Sequence, residues 1–237
     1  MAKLFKHLKE NWIKYGFETL TILAGIIGAL TIDNWNEERK ERVQEHSILQ
    51  QLQGDFETNQ QLIEAGILKY QGIDKIIRLT INHTGPEVDL PEPEVLDSMG
   101  WLGYVRVELV HGTINLILSA DQMDLLKNDL LTSRLAAFPG ENLIYKTFEL
   151  LSMDIALRQR ELYKAYISVL LIRPGLQTRA QIQHESDFLA WLRTRNHQNL
   201  VVDRYIQNNN AYKALLDLKE SNQSILDLIN SELSRFR

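Results

Sequence analysis

The chain has 237 residues, 44% of them hydrophobic, with only five prolines and twelve glycines. That is enough apolar mass for a packed core, which excludes global disorder, and so few breakers favour long helices. A formal net charge of −5 argues against nucleic acid as a partner, and the absence of cysteine removes disulfides, thiolate metal sites and thiol catalysis.

The first segment, residues 1–15, carries Lys3, Lys6, Lys9 and Lys14 against Glu10. Leu4, Leu8 and Trp12 follow one another at i+4, the pattern of an amphipathic helix lying on a membrane surface. From Phe17 to Ile32 every residue except Glu18 is apolar, small or Thr. As helix this run rises ~24 Å, short of a ~30 Å hydrocarbon core. Its flanks extend it: Trp12 and Tyr15 precede it and Trp35 follows, and Trp12 to Trp35 spans ~35 Å, about the separation of two interfacial aromatic belts.

Three readings compete for this run. A cleaved signal peptide fits the basic start but finds no small-x-small site in the "TIDNWNEERK" that follows. A buried core helix would not normally be flanked by lysines on one side and a dense charge run on the other. A membrane helix over residues 16–34 fits best. Lys and Arg number four before the run and three in residues 33–49, a narrow bias that puts the N-terminus inside. The expected location is therefore the inner (cytoplasmic) membrane, single-pass, with residues 35–237 forming a periplasmic domain.

Within the run, Thr21, Gly25 and Ala29 lie within about 60° of Glu18 at 100° per residue. Such a small-residue stripe lets membrane helices approach closely, so Glu18, Thr21, Gly25 and Ala29 are the expected helix–helix interface. The plainer alternative has Glu18 one turn inside the interface, snorkelling to headgroups or protonated. After the run, "NEERKER" (36–42) reads as a membrane-proximal collar including Trp35, Asn36, Glu37 and Arg39, solvated and laced by i, i+4 pairs such as Glu38–Arg42. Its functional reading is contact with headgroups or a neighbouring subunit.

Trp35, Leu49, Phe56, Ile63, Tyr70 and Ile77 then recur at seven-residue steps, with Leu52 and Ile73 at companion positions. Arg42, Glu38, Glu45, Asn59 and Gly66 interrupt the pattern. It is too imperfect for a coiled coil and suits a long bundle helix from about Leu4 to Asn82. "HTGPEVDLPEPE" (83–94) holds three of the five prolines and ends it. The stretch Val105 to Val110 alternates like a strand, but a lone strand has no partner, so short helices are expected, one capped by Thr113. "LKNDLLTSRLAAFPG" predicts a helix capped by Asn128 or Asp129 and ended by Pro139-Gly140. A further helix should run from Glu141 to Ile172, stopped by Arg173-Pro174-Gly175, and a last one from Ser186 to Phe236, interrupted at "RTRNHQN". The fold class is all-α: an N-terminal transmembrane helix continuing into a bundle of long antiparallel helices.

Six histidines, at 7, 46, 83, 111, 184 and 197, form no i, i+4 pair, and no phosphate-cradling glycine loop or nucleophile elbow is present. No catalytic, cofactor or metal site is expected. Trp101 and Trp191, with Tyr104, are candidates to line a ligand pocket, although aromatics in a bundle more often pack its core.

"GIIGALTIDNWNEERKER" followed by "LQQLQGDFETN" resembles the start of a family of uncharacterised bacterial single-pass membrane proteins. The matching residues are Gly25, Ile26, Ala29, Leu30, Ile32, Trp35, Asn36, Glu37 and Arg39, then Leu49, Leu52, Asp55 and Phe56. "GTINLILSADQMDLLKNDLLTSRLAAF" is similar to the family's second signature, with "SAD" where a Gly is common. The resemblance covers about a third of the chain. It implies a membrane anchor and a helical domain outside the cytoplasm, and no known activity. The expected function is a membrane-anchored structural or interaction protein, with the lipid bilayer and a homo-oligomer or membrane complex as partners. An oligomeric pore using Glu18 and a periplasmic ligand-sensing bundle are the alternatives.

Overall fold

In the computed structural model, residues 12–100, 103–119, 122–169 and 185–236 are described, and they contain six α-helices. Helix α1, Trp12–Asn82, runs 71 residues without a break, about 105 Å at 1.5 Å per residue. It has no internal proline, and its glycines at 16, 25, 28, 54, 66 and 72 are isolated. The chain then turns at Gly85, whose φ of 149° favours glycine. It continues through α2 (Pro93–Met99), α3 (Gly112–Ser119), a 3₁₀ turn at Met123–Leu125, α4 (Asp129–Tyr166), α5 (Phe188–Arg193) and α6 (Arg195–Ser234).

The three long helices α1, α4 and α6 enclose the main core. The heptad positions Leu49, Leu52, Phe56, Ile63, Tyr70, Ile73 and Ile77 are all buried against Leu131, Leu135, Phe138 and Tyr145 of α4 and Leu215, Leu218, Ile225 and Ile229 of α6. Helix α6 is antiparallel to α1: Gln53 meets Asn230, Glu64 meets Lys219, Gln71 meets Tyr212 and Arg78 meets Tyr205. Helices α1 and α4 run the same way, with Phe56 on Phe138 and Tyr70 on Tyr145. The chain between them must therefore travel back down the bundle, and it does so largely in extended form.

That return differs from the short helices expected. Residues 103–110 are extended, with Val105, Val107 and Leu109 buried and Tyr104, Arg106 and Glu108 exposed. The strand-like alternation is real, yet no residue among those described pairs in a sheet. Backbone partners come instead from side chains on the flanking helices. Asn59 brackets Val110, donating to its carbonyl at 2.9 Å and accepting its N–H at 2.7 Å. Glu149 accepts the Val107 N–H and Lys146 donates to the Val107 carbonyl, both at 2.7 Å. At the next helix start, the Thr113 N–H is taken by Asp55 at 3.0 Å, so Asp55 of α1, not Thr113, caps α3.

Two helix ends also differ. Pro139 sits inside α4 instead of ending it. Proline removes the bond to the Leu135 carbonyl, but buried Phe138 on Phe56 and buried Tyr145 beside Tyr70 hold the helix in line on both sides of it. Asn128 is its N-cap, accepting from Leu131 N at 3.0 Å, and the helix closes at Tyr166, before the expected Ile172. The interruption in the last helix falls at Thr194, between α5 and α6. Residues 1–11 of the amphipathic segment, Trp101 and the Arg173-Pro174-Gly175 stop lie outside the described residues.

A smaller second core of Met99, Tyr163, Ile167, Trp191 and Leu192 closes the end of the bundle remote from the N-terminal run. The turn after α1 is tied to it: Thr84 Oγ1 and Gly85 N both donate to the Leu192 carbonyl, at 2.8 and 3.0 Å.

Candidate functional site

Residues 17–34 project from the bundle, and none of the described residues buries them. None of the apolar window is buried, and Phe17, Leu20, Ile22, Leu23, Ile26, Ile27, Leu30, Ile32 and Trp35 are exposed on every side of the helix. A core helix of this domain would be covered, and none of the described residues covers this run. Among the described residues, this is the one helix long and apolar enough to cross a membrane. Glu18, Thr21, Gly25 and Ala29 are all exposed. A side chain added at Gly25 or Gly28 would meet nothing within 4 Å. The Thr21 hydroxyl is already engaged, donating to Phe17 O at 2.8 Å, and Thr31 does the same to Ile27 O. Thr21 therefore offers a small surface and not a free donor.

The collar splits into two sides. Trp35 and Arg39 line a groove of about 490 Å³ with Glu38, Arg42, Val43, His46 and Phe236. Asn36 and Glu37 are exposed and do not line it. The expected Glu38–Arg42 pair is not formed; both side chains line the groove instead. Because α6 is antiparallel to α1, the end of the chain returns here, and the Phe236 ring lies 4.9 Å from that of His46.

Inside the bundle, the residues that broke the heptad have a common task. Glu45 is buried and accepts the Lys127 N–H at 3.0 Å, which fixes the entry to α4. Asn59 is fully buried and holds Val110. Gly66 makes room for Val107, since a Cβ there would sit 2.5 Å from Val107 Cγ2. Above them the Tyr145 hydroxyl donates to Glu149 at 2.9 Å and contacts the Tyr70 hydroxyl at 3.4 Å, and Lys146 pairs with Glu149 at 2.9 Å. Burial pushes Tyr70 up to about 12 and raises Tyr145 as well, so both phenols stay protonated. Lys146 also reaches exposed Glu108 at 3.4 Å, and the network clamps the extended segment. Sequence reasoning passed over Glu149. It treated Asn59 and Gly66 as defects of a pattern, when the defects themselves were the signal.

Trp191 packs in the second core, its ring 5.0 Å from Tyr163 edge-on and 4.2 Å from His197. Tyr104 is exposed on the extended segment and takes no part in that cluster. Both ring nitrogens of His197, Trp191 Nε1 and the Tyr163 hydroxyl lack partners, and burial lowers His197 to about 4. Arg204 is also buried, which lowers it to about 10. Its guanidinium donates to Gln159 at 3.0 Å and to the Gly103 carbonyl. Among the described residues no three His, Asp or Glu side chains converge as a metal-ligand set.

No protein-family model matches the chain, and neither a curated protein nor a solved structure does. Within the chain, however, the two resembling motifs meet. Asp55 of the first accepts from Thr113 of the second, and Phe56 packs on Phe138.

Proposed function

We propose that the protein is a single-pass membrane protein, N-terminus inside, whose helical domain is a structural or interaction module that self-assembles or docks on a membrane complex. The observation that carries this reading is the fully exposed apolar ring of residues 17–35 on a helix continuous with the bundle. That many large apolar side chains left in water gain nothing from folding and favour aggregation, whereas a bilayer takes them out of water. The anchor and the first core helix are one element, so the domain is held at a fixed height. About 26 Å of helix separates Ile32 from the first buried heptad residue, Leu49. The clamp favours no chemistry, because Asn59, Lys146 and Glu149 are spent on backbone bonds. The pore reading needs several copies of Glu18 around one axis, so it depends on the same assembly.

Two measurements test the proposal. Alkaline carbonate extraction should leave the protein in the membrane fraction, and a reporter fused after Asn82 should give the signal of an outside location. Carbonate-soluble protein removes the anchor, and a cytoplasmic signal reverses the orientation. Native mass in mild detergent then separates the roles. A homo-oligomer supports self-assembly, a constant partner supports docking, and a monomer that retains no partner defeats both.

A further inference from the structure

We propose that the groove where α1 meets the end of α6 binds the phosphate of an anionic phospholipid headgroup, an inference that rests on residues 17–32 sitting in a bilayer. The groove opens within a turn of Ile32, where the apolar run stops, and Trp35 and Phe236 are in its lining. Such aromatic rings suit the boundary between acyl chains and headgroups. Side chains on an α-helix lean toward its N-terminus, which for α1 is the membrane end. Arg39 and Arg42 lie about 10 and 15 Å beyond Ile32 along the axis. Their reach brings both guanidinium groups down toward the headgroup layer, which adds about 5–7 Å to each side of the hydrocarbon core.

Neither arginine has a counter-ion. Among the described residues, the arginines in ion pairs are Arg78, Arg106, Arg158 and Arg235. Two adjacent planar forks that form no ion pair with a carboxylate match a phosphate diester, which guanidinium binds through parallel N–H bonds. Residues 33–49 are net acidic, but the helix sorts the charges. At about 100° per residue Asp33 and Glu37 fall on the opposite half from Arg42, and Glu41 lies about 100° away. Glu45 is turned inward onto the Lys127 N–H. Glu38 alone shares the groove. Two guanidiniums against one carboxylate leave a single positive charge, complementary to a lipid of charge −1, and Glu38 can accept from a headgroup hydroxyl, as in phosphatidylglycerol.

The test is lipid retention by the full chain in native mass spectrometry, with phosphatidylglycerol, phosphatidylethanolamine or phosphatidylcholine of the same acyl chains added to the detergent. The expected result is about a fivefold preference for phosphatidylglycerol, lost in Arg42→Gln and kept in Lys40→Gln, since one cation near an anionic headgroup is worth about that factor. Lys40 removes the same charge from the same collar but points away from the groove. Equal loss in both variants, or no preference in the wild type, overturns the proposal. Carbonate extraction of wild type and Arg42→Gln separates the two levels. Both should stay in the membrane if only the groove reading fails, and release of the wild type means the anchor itself has failed.

Discussion

The carboxylate of Glu149 accepts the backbone N–H of Val107 at 2.7 Å, so a helix side chain supplies the bond that a neighbouring strand would give. The same oxygen takes the Tyr145 hydroxyl, and the other oxygen takes Lys146. Removing the carboxylate takes the acceptor from the Val107 N–H and the Tyr145 hydroxyl inside the bundle, while Lys146 keeps the Val107 carbonyl and Glu108. Glu149→Ala should cost roughly 2–4 kcal/mol, because buried groups that lose a partner pay their full desolvation. Glu149→Gln keeps the acceptor for Val107 and turns an amide N–H₂ toward Lys146, and should cost about half as much. Thermal melting followed by circular dichroism in mild detergent measures both. An alanine variant that melts with the wild type would show that the clamp does not hold the fold.

Gly66 tests the same contact from the other helix. An added methyl would lie 2.5 Å from Val107 and 3.1 Å from Leu215. Alanine gains up to about 1 kcal/mol of helix propensity over glycine, but overpacking a filled core costs typically about 1–3 kcal/mol. Gly66→Ala should therefore lower the melting temperature. Gly54→Ala and Gly72→Ala, with nothing within 4 Å, should raise it. Adding Val107→Ala to Gly66→Ala should recover part of the loss, a coupling that a double-mutant cycle reads directly.

His197 gives the domain an acid limit. Burial lowers its pKa to about 4, while an unfolded histidine titrates near 6.5. Between those values the unfolded chain binds the extra proton, so stability falls as pH drops from about 6.5 to about 4 and does not fall further from this group below that. The full effect is on the order of 3 kcal/mol. Carboxylates titrate in part of the same range, so the informative quantity is the difference from His197→Leu, which keeps a similar volume on Trp191. The variant should be as stable as the wild type at pH 8, or more so, and clearly more stable at pH 5. Parallel pH profiles would assign the acid sensitivity to other groups.

Gly25 and Ile26 separate an interface from a plain anchor. Gly25 has open space around it in the single chain, so Gly25→Leu should leave the fold of the domain unchanged. If the stripe with Glu18, Thr21 and Ala29 is a packing face, Gly25→Leu should weaken assembly more than Ile26→Leu, which lies about 100° further round. Sedimentation in detergent and partner pull-down read this. If the two variants behave alike in both, the stripe is incidental. Glu18→Gln should preserve assembly where hydrogen bonding is its role.

The element types were legible because helix propensity and apolar periodicity are local. The exposed run 17–32, the long heptad helix to Asn82, the Asn128 cap and the break near Thr194 each follow from residues within a turn or two of one another. Two local rules misled. Pro139 was read as a stop, and packing of Phe138 and Tyr145 overrode it. Residues 105–110 were read as helix for want of a strand partner, although their alternation was visible.

By itself, then, the sequence determined the helical class and the apolar run that none of the described residues buries. Tertiary structure decided the path of residues 103–110 and the use of Glu45, Asn59, Gly66 and Glu149. The reason is hydrogen-bond satisfaction. An extended backbone cannot be buried unless each inward N–H and C=O finds a partner. Here those partners are side chains 39 to 51 residues away in the chain. Their spacing leaves no periodic trace, and only the folded bundle brings them to the same place.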